Sequence, residues 1–304
     1  MLDPILLVGI GSLAALVAAT VRSARRQGHT IGRWSWAAIL TGLALVAVAV
    51  LSPVATVASG YLLSAHLVQI TLLMGFAPWL LLSGLPRSGG AGVPRSLVRL
   101  GRLVSHPGVA IVMVNAVLIG WHVPAVFDAC LRHPTLYAIQ LVTLFGASVA
   151  FWWPIVVPAP AGREGLSPLV KLGYILLATI PQTFAGLLLA LAHAPFYAAY
   201  AEAPRLFGVS AATDQQVAGA CMAILSKLAL FAAFSVVMWR LLDAHGVDDD
   251  AADDNGGNGG QDDDDAPRPV TPPAPAWLGL LERSRLIDEP SAPASGREVV
   301  AAGR

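Results

Sequence analysis

Charged residues are scarce in this sequence: Asp, Glu, Lys and Arg make up 12% of its 304 residues, while 56% are hydrophobic. In soluble domains about a quarter of the residues are charged, so the composition excludes an ordinary soluble domain. The hydrophobic residues come in long blocks rather than at the periods of half-buried helices or strands, which predicts helices that are apolar on every side. A lipid bilayer is the natural surrounding for such helices.

Cysteine is rare as well. Cys130 and Cys221 are far apart and form no CxxC pair, so a disulfide framework is excluded, although a single bridge is not. The sequence also lacks an HExxH helix, a Walker loop, a GxGxxG turn before a suitable element and a nucleophile motif. We therefore predict neither an enzyme, nor a cofactor other than a metal, nor a nucleic-acid partner.

Runs of about twenty apolar residues are abundant instead, and each is long enough to cross a bilayer. The first run follows MLDP without the basic segment of a cleaved signal peptide, so we expect a true first helix. Prolines inside the runs are expected to kink or end helices whose freed carbonyls bond to neighbours. The runs predict an all-α, polytopic transmembrane bundle of seven spans within residues 1–242: 4–21, 34–57, 63–85, 107–127, 135–157, 168–191 and 214–241.

Arginine and lysine are distributed unevenly between the loops. The loops after the first, third and fifth runs carry most of them, whereas the alternate loops hold only Arg132 and Arg205. Because positively charged loops stay in the cytoplasm, we predict an outer N-terminus and a cytoplasmic C-terminus. Residues 243–304 are rich in Asp, Gly and Pro and are predicted to form a disordered cytoplasmic tail, since they bury too little apolar surface to offset chain entropy.

Polar residues are predicted to gather at the outer end of this bundle. Four histidines fall at the outer ends of runs three to six: His66, His122, His133 and His193. Run seven begins at the same end with a carboxylate and two amides, followed by two sulfur-containing residues: Asp214, Gln215, Gln216, Cys221 and Met222. Ionisable groups inside spans are costly and usually serve a function.

These donors favour a soft metal ion. Imidazole, thiolate and thioether together suit copper, above all the cuprous ion, while zinc would also accept the His, Cys and Asp set. His66 and His122 are the strongest candidates, since each has a Gln or a Trp within an apolar frame. His133 and His193, taken singly, are better explained as wetted residues at helix ends, and Met74 as a lipid or core contact.

Five segments combine these residues in one order: HLVQITLLMGFAPWLLLSGLPR (66–87), WHVPAVFDACL (121–131), FWWPIV (151–156), FYAAY (196–200) and DQQVAGACM (214–222). In this order and at this spacing they resemble the bacterial cytochrome c oxidase assembly factor family called CtaG. This is the seven-span membrane family, which is unrelated to the single-span copper chaperone that sometimes shares the name. The resemblance covers nearly all of residues 30–241.

The resemblance implies an accessory protein of the bacterial inner membrane that is needed to build a copper-containing terminal oxidase. Copper handling at the outer face is the implied activity, and oxidase subunits or a copper chaperone are the implied partners within the lipid bilayer. The positions that match the family pattern are His66, Gln69, Trp121, His122, Pro124, Asp128, Tyr197, Tyr200, Asp214, Gln215, Gln216, Gly219 and Met222.

This chain also departs from the family pattern at three positions. A second histidine commonly follows the first by four residues, where this sequence has Ile70, and two more lie in the fifth span, where it has Tyr137 and Leu141. A site without these imidazoles would bind metal less tightly, or would need substitutes from the other outer donors: His133, His193, Cys221 and Met222.

Three functions are consistent with the sequence. In the first, the protein presents copper through His66, His122 and Met222, while Asp214 orients an imidazole. In the second, it is a metal-free scaffold that docks oxidase subunits or a chaperone. In the third, it transports copper or another small solute, although the polar residues near the membrane midplane are few: Asn115, Gln140, Thr143, Gln182 and Lys227.

Overall fold

Six helices of the computed structural model are long and apolar enough to cross a membrane, and one bent helix pair makes a seventh candidate. The structure describes residues 3–86, 103–104, 106–157 and 165–254, and within these ranges it contains helices but no strand. The predicted all-α membrane bundle is therefore confirmed. The predicted tail from residue 255 onward lies outside the described residues.

The helices follow the predicted runs closely, with additional short helices between them. We label the α-helices in chain order: α1 (Pro4–Arg26), α2 (Arg33–Leu51), α3 (Pro53–Gly60), α4 (Leu63–Thr71), α5 (Ala77–Gly84), α6 (Pro107–Trp121), α7 (Pro124–Arg132), α8 (Pro134–Val156), α9 (Pro168–Leu191), α10 (Ala198–Glu202) and α11 (Ala211–Asp254). A π-helical turn, Leu72–Phe76, joins α4 to α5, so that the third span is continuous.

The second predicted span, 34–57, is wrong as a single helix, because it breaks at Ser52 into α2 and α3. Ser52 is extended, with φ −87° and ψ 170°, as expected for the residue before a proline. Its hydroxyl accepts a hydrogen bond from the Val54 amide at 3.2 Å and so caps α3. Pro53 occupies the first turn, where a missing N–H costs nothing.

The fourth predicted span, 107–127, bends by 69° between α6 and α7. Val123 has an extended backbone before Pro124, which begins α7, so the bend again follows from a proline. The expected short outer turn before the fifth span is therefore a nine-residue helix, α7. His122 lies directly at the bend.

The last helix continues beyond the predicted span end at residue 241. It ends at Asp254, so residues 243–254 are helical rather than part of a disordered tail. A helix can continue into water because its backbone bonds are internal, and a glycine-rich stretch, NGGNGG, follows directly in the sequence.

The π-helical turn in the third span is explained by Pro78 and its neighbours. Pro78 has no N–H for the carbonyl of Met74, four residues earlier. That carbonyl instead accepts hydrogen bonds from the Ser148 hydroxyl and from Trp152 Nε1, the latter at 2.9 Å. Helix α8 thus satisfies the group that the proline releases, as the sequence predicts for prolines in this bundle.

Helices α9 and α11 approach each other closely through two glycines. A Cβ atom on Gly219 would lie 2.4 Å from the Ala190 backbone nitrogen and 2.5 Å from the Gly186 carbonyl oxygen. A Cβ on Gly186 would in turn lie 2.9 Å from the Gly219 carbonyl oxygen. Small residues allow such backbone contact between membrane helices. The motif position Gly219 is therefore a packing position.

Candidate metal-binding site

The segments predicted to face outward meet at one end of the bundle. Asp128 in α7 accepts hydrogen bonds from the backbone amides of Ala198 and Ala199 at 3.2 and 3.0 Å. The hydroxyl of Tyr200 donates to the carbonyl of Ala58 at the end of α3. Near the N-terminus, Asp3 accepts a bond from Thr135 at the start of α8. These contacts confirm that the segments share one end, while the side of the membrane stays a prediction.

His66 and His122, the two strongest candidates from the sequence, lie close together at this end. Their ring centroids are 6.0 Å apart. The fully buried ring of Phe127 contacts both, at centroid distances of 4.9 Å from His66 and 5.4 Å from His122. His66 is itself fully buried on α4. We call these two residues the histidine pair.

The tautomer of His122 follows from one hydrogen bond. Its Nδ1 lies 2.6 Å from the carbonyl oxygen of Leu118, one turn earlier in α6. A carbonyl only accepts, so Nδ1 carries the hydrogen and donates it. In the neutral ring, the lone pair is then on Nε2.

A chain of hydrogen bonds gives His66 the same tautomer. Tyr137 donates its hydroxyl hydrogen to Gln69 Oε1 at 2.5 Å, and Gln69 Nε2 donates to the Ala49 carbonyl at 2.8 Å. Because the tyrosine hydrogen is used, its oxygen accepts from His66 Nδ1, 3.2 Å away. The lone pair of His66 is therefore also on Nε2.

Both Nε2 atoms are buried and have no hydrogen-bond partner within the described part of the chain. Such atoms are rare in folded proteins, and each requires an explanation. A neutral imidazole nitrogen with a free lone pair is the commonest protein ligand for transition metals. The histidine pair thus offers two bare donor atoms on rings whose centroids are 6.0 Å apart. The other buried polar atoms without a partner among these residues belong to Asn115 and Gln140.

The full predicted ligand set does not assemble. Among the described residues, no three His, Cys, Asp or Glu side chains are placed to hold one ion. His133, between α7 and α8, and His193, after α9, are both exposed, which agrees with wetted helix ends. Cys221 is half-buried. Met222 does approach His122, because the two residues line the same two cavities.

Asp214 has a different task from the predicted one, which was to orient an imidazole. The carboxylate is 5% exposed and accepts bonds from the backbone amides of Leu63 and Ser64, at 2.6 and 3.3 Å. It also accepts from the Ser64 hydroxyl. A carboxylate at a helix N-terminus satisfies donors that have no partner within the helix. Asp214 therefore joins α11 to the start of the helix that carries His66.

Replacing Asp214 by alanine is expected to lower the free energy of unfolding by about 2–4 kcal/mol, because it leaves buried donors of α4 without an acceptor. The Asp214→Asn variant keeps one acceptor oxygen and should lose clearly less. Both losses can be measured by unfolding the purified protein in mixed micelles with increasing sodium dodecyl sulfate. Equal stability of the two variants would contradict the proposed capping role.

Three other motif positions form hydrogen bonds between segments at this end of the bundle. Gln215 bonds to the Phe196 amide at 2.6 Å and to the Ala194 carbonyl at 3.1 Å. Gln216 donates to the carbonyl of Ala192 at 3.3 Å. Trp121 donates to the Thr143 hydroxyl at 2.9 Å. These bonds connect the segments around the histidine pair to one another.

Tyr197 and Tyr200 also connect these segments, as hydrogen-bond donors. Tyr197 donates to the backbone carbonyl of His122 at 3.0 Å, which ties the bend to the loop. Burial raises the pKa of Tyr197, and the nearby Asp128 raises it further. Burial likewise raises the pKa of Tyr200. Both phenols therefore keep the hydrogen that they donate.

The three positions without the family histidines have different surroundings. Ile70 lines a cavity together with His122. Leu141 is buried in an apolar cluster with Val46 and Leu73. Tyr137 places its hydroxyl on His66, as described above. This role of Tyr137 was not predicted from the sequence. Phe127 was not predicted either, since its only local signal is its place within the WHVPAVFDACL segment.

The chain was compared with families, curated proteins and solved structures. A family model described as cytochrome c oxidase caa3 assembly factor (Caa3_CtaG) matches residues 14–244. Neither the curated proteins nor the solved structures gave a match. The family match spans every helix described above from the middle of α1 to the membrane part of α11. It confirms the resemblance seen in the five segments: the chain belongs to the cytochrome c oxidase caa3 assembly factor family.

Proposed function

We propose that this assembly factor handles copper for the oxidase by binding the cuprous ion between the Nε2 atoms of His66 and His122. The observation that supports this proposal is the pair of buried Nε2 atoms, which both bear lone pairs and have no hydrogen-bond partner among the residues that the structure describes. Cuprous copper binds a small number of ligands, which are soft sulfur atoms or imidazole nitrogens. Calcium and magnesium instead need several oxygen ligands.

The chemistry of the pair suits an ion that is passed on. Two neutral imidazoles leave the single positive charge of the cuprous ion uncompensated, so binding is weaker than in a closed site with thiolates or carboxylates. Weak binding favours release to a partner. The loss of histidine at positions 70, 137 and 141 fits this weaker site, in which Tyr137 fixes a ligand instead of adding one.

The proposed location is the outer face of a bacterial inner membrane. The distribution of Arg and Lys between the loops supports this side, since the loops at the other end of the bundle carry most of them. The partners that follow are the oxidase subunits that receive copper, or a chaperone that delivers it.

A metal-free scaffold is a second candidate, and the loop between α9 and α11 favours it. Phe207 in this loop is 88% exposed and has a φ of 57°, which is rare for a residue other than glycine. An exposed aromatic side chain on a loop anchored by Gln215 and Asp128 is suited to docking a protein. In this alternative, the histidine pair would not matter for assembly.

The function can be tested by deleting the gene in its own bacterium and measuring the activity and copper content of cytochrome c oxidase. We expect both to fall, to return with a plasmid copy of the gene, and to be partly restored by added copper, because excess metal bypasses a handling step. A deletion strain that regains nothing with copper would favour the scaffold, in which case Phe207→Ser should reproduce the defect.

A further inference from the structure

Two cavities meet at His122, one member of the histidine pair. One, the inner cavity, has a volume of about 60 Å³ and lies between the spans, where its lining includes Met74, Phe151 and Leu230. The other, the outer groove, has a volume of about 320 Å³, and its lining includes Pro124, Phe196 and Tyr197 of the outer segments. Leu118, His122 and Met222 line both. A ligand that reaches His122 from the groove is therefore already at the boundary of the inner cavity.

The inner cavity offers soft donors from three different helical segments. Met74 comes from the π-helical turn of the third span, Met222 from α11, and His122 from the end of α6. Thioether sulfur and imidazole nitrogen are ligands that cuprous copper prefers. Among the described residues that line this cavity, there is no Asp, Glu, Lys or Arg.

An uncharged lining favours a monovalent ion over a divalent ion. The cost of moving an ion from water into a low-dielectric interior rises with the square of its charge, and a divalent ion here would have no carboxylate to offset it. A single positive charge costs about a quarter as much by the same relation. The cavity is thus matched to a soft, monovalent cation, and a volume of about 60 Å³ holds one without its water shell.

The backbone of Met74 is held firmly at the cavity. Its carbonyl accepts bonds from Ser148 and Trp152, as described for the π-helical turn. Ser148 and Trp152 also line the inner cavity. π-helical turns within α-helices occur often at functional sites. The Met74 side chain packs against two core clusters, as the sequence suggests, and it also lines the inner cavity.

We infer that the inner cavity is a second position for the cuprous ion, in which His122, Met222 and Met74 hold it after it leaves His66. His122 is common to both positions, so the ion moves by exchanging His66 for the two thioethers, with no change of charge or oxidation state. This inference rests on the proposed function, because it assumes that copper reaches the histidine pair. It adds Met74 as a ligand and gives the ion a place within the span region.

The test uses the full-length His66→Ala protein, purified and loaded with cuprous copper under anaerobic conditions. We expect this variant to keep copper, now with sulfur neighbours in its X-ray absorption spectrum. Adding Met74→Leu and Met222→Leu should weaken copper binding about 10–100-fold and remove the sulfur signal. Leucine has nearly the volume of methionine, so the fold should tolerate both changes.

Met113→Leu in the same His66→Ala background is the matched control, because Met113 packs against the same core cluster as Met74 but is not among the described residues that line either cavity. It should leave copper binding unchanged. The inference is overturned if His66→Ala protein holds no copper, or if it holds copper that the two leucine changes leave unaffected. In both cases the proposed function stands as long as the wild-type protein binds copper and loses it without the histidine pair.

Discussion

Purified protein in which His66 and His122 are both alanine is expected to hold no copper, whereas wild-type protein holds roughly one ion per chain. The reason is that both bare Nε2 atoms are removed at once, including the ligand that the two proposed copper positions share. Loss of both imidazoles leaves Met222 and Met74 without a nitrogen donor, and two thioethers alone bind copper weakly. Elemental analysis after dialysis against a weak chelator measures the difference.

The matched control replaces the two exposed histidines, His133 and His193. These side chains are of the same type and are predicted to lie on the same side of the membrane, but they are separate from the pair. The His133→Ala/His193→Ala protein should therefore keep its copper. Copper that persists in the His66→Ala/His122→Ala protein, with unchanged stoichiometry, would disprove the copper site proposed here.

The second large effect is expected at the glycine contact between α9 and α11. Gly219→Ala places a methyl group 2.4 Å from the Ala190 backbone nitrogen, and a backbone cannot rotate away as a side chain does. The two helices must separate, which we expect to cost about 3 kcal/mol or more. Because α11 carries both Asp214 and Met222, the same change should disturb the cap of α4 and the lining of the inner cavity.

Gly173→Ala is a control for which we expect no loss of stability. Gly173 lies on α9, on the same helix as Gly186, but a Cβ atom there meets no heavy atom within 4 Å. Alanine is favoured over glycine in a helix by about 0.5–1 kcal/mol, so this variant should be as stable as wild type or slightly more stable. Thermal unfolding in detergent compares the two directly. Similar melting temperatures for both variants would contradict the close contact.

The sequence was sufficient for the parts of the fold that depend on local composition. Apolar runs and loop charges predict the spans, and the span 168–191 ends at the same residues as α9. A kink or helix end at Pro124 was expected, whereas the break at Ser52, before Pro53, was not predicted. A single proline hardly changes the mean hydropathy of a run, and whether it kinks or ends a helix depends on which neighbours satisfy the freed groups.

The candidate site was predictable only as a set of residues at one end of the bundle. The order of the spans places His66 and His122 at the same end of the bundle, whereas their contact follows from packing. Their tautomers depend on Tyr137, which lies 71 residues from His66 in the sequence and reaches it only through packing. The role of Asp214 was likewise hidden, because its partners on α4 are about 150 residues away.

The bend at His122 has a consequence for how this helix varies between related chains. His122 follows the last residue of α6, so its direction is determined by the number of residues in the helix before it. One inserted or deleted residue would turn it by about 100° and move it away from His66. Exposed positions such as Val112 and Ile119 can exchange freely among apolar residues. Related chains should therefore differ widely in the composition of this helix while keeping its length constant.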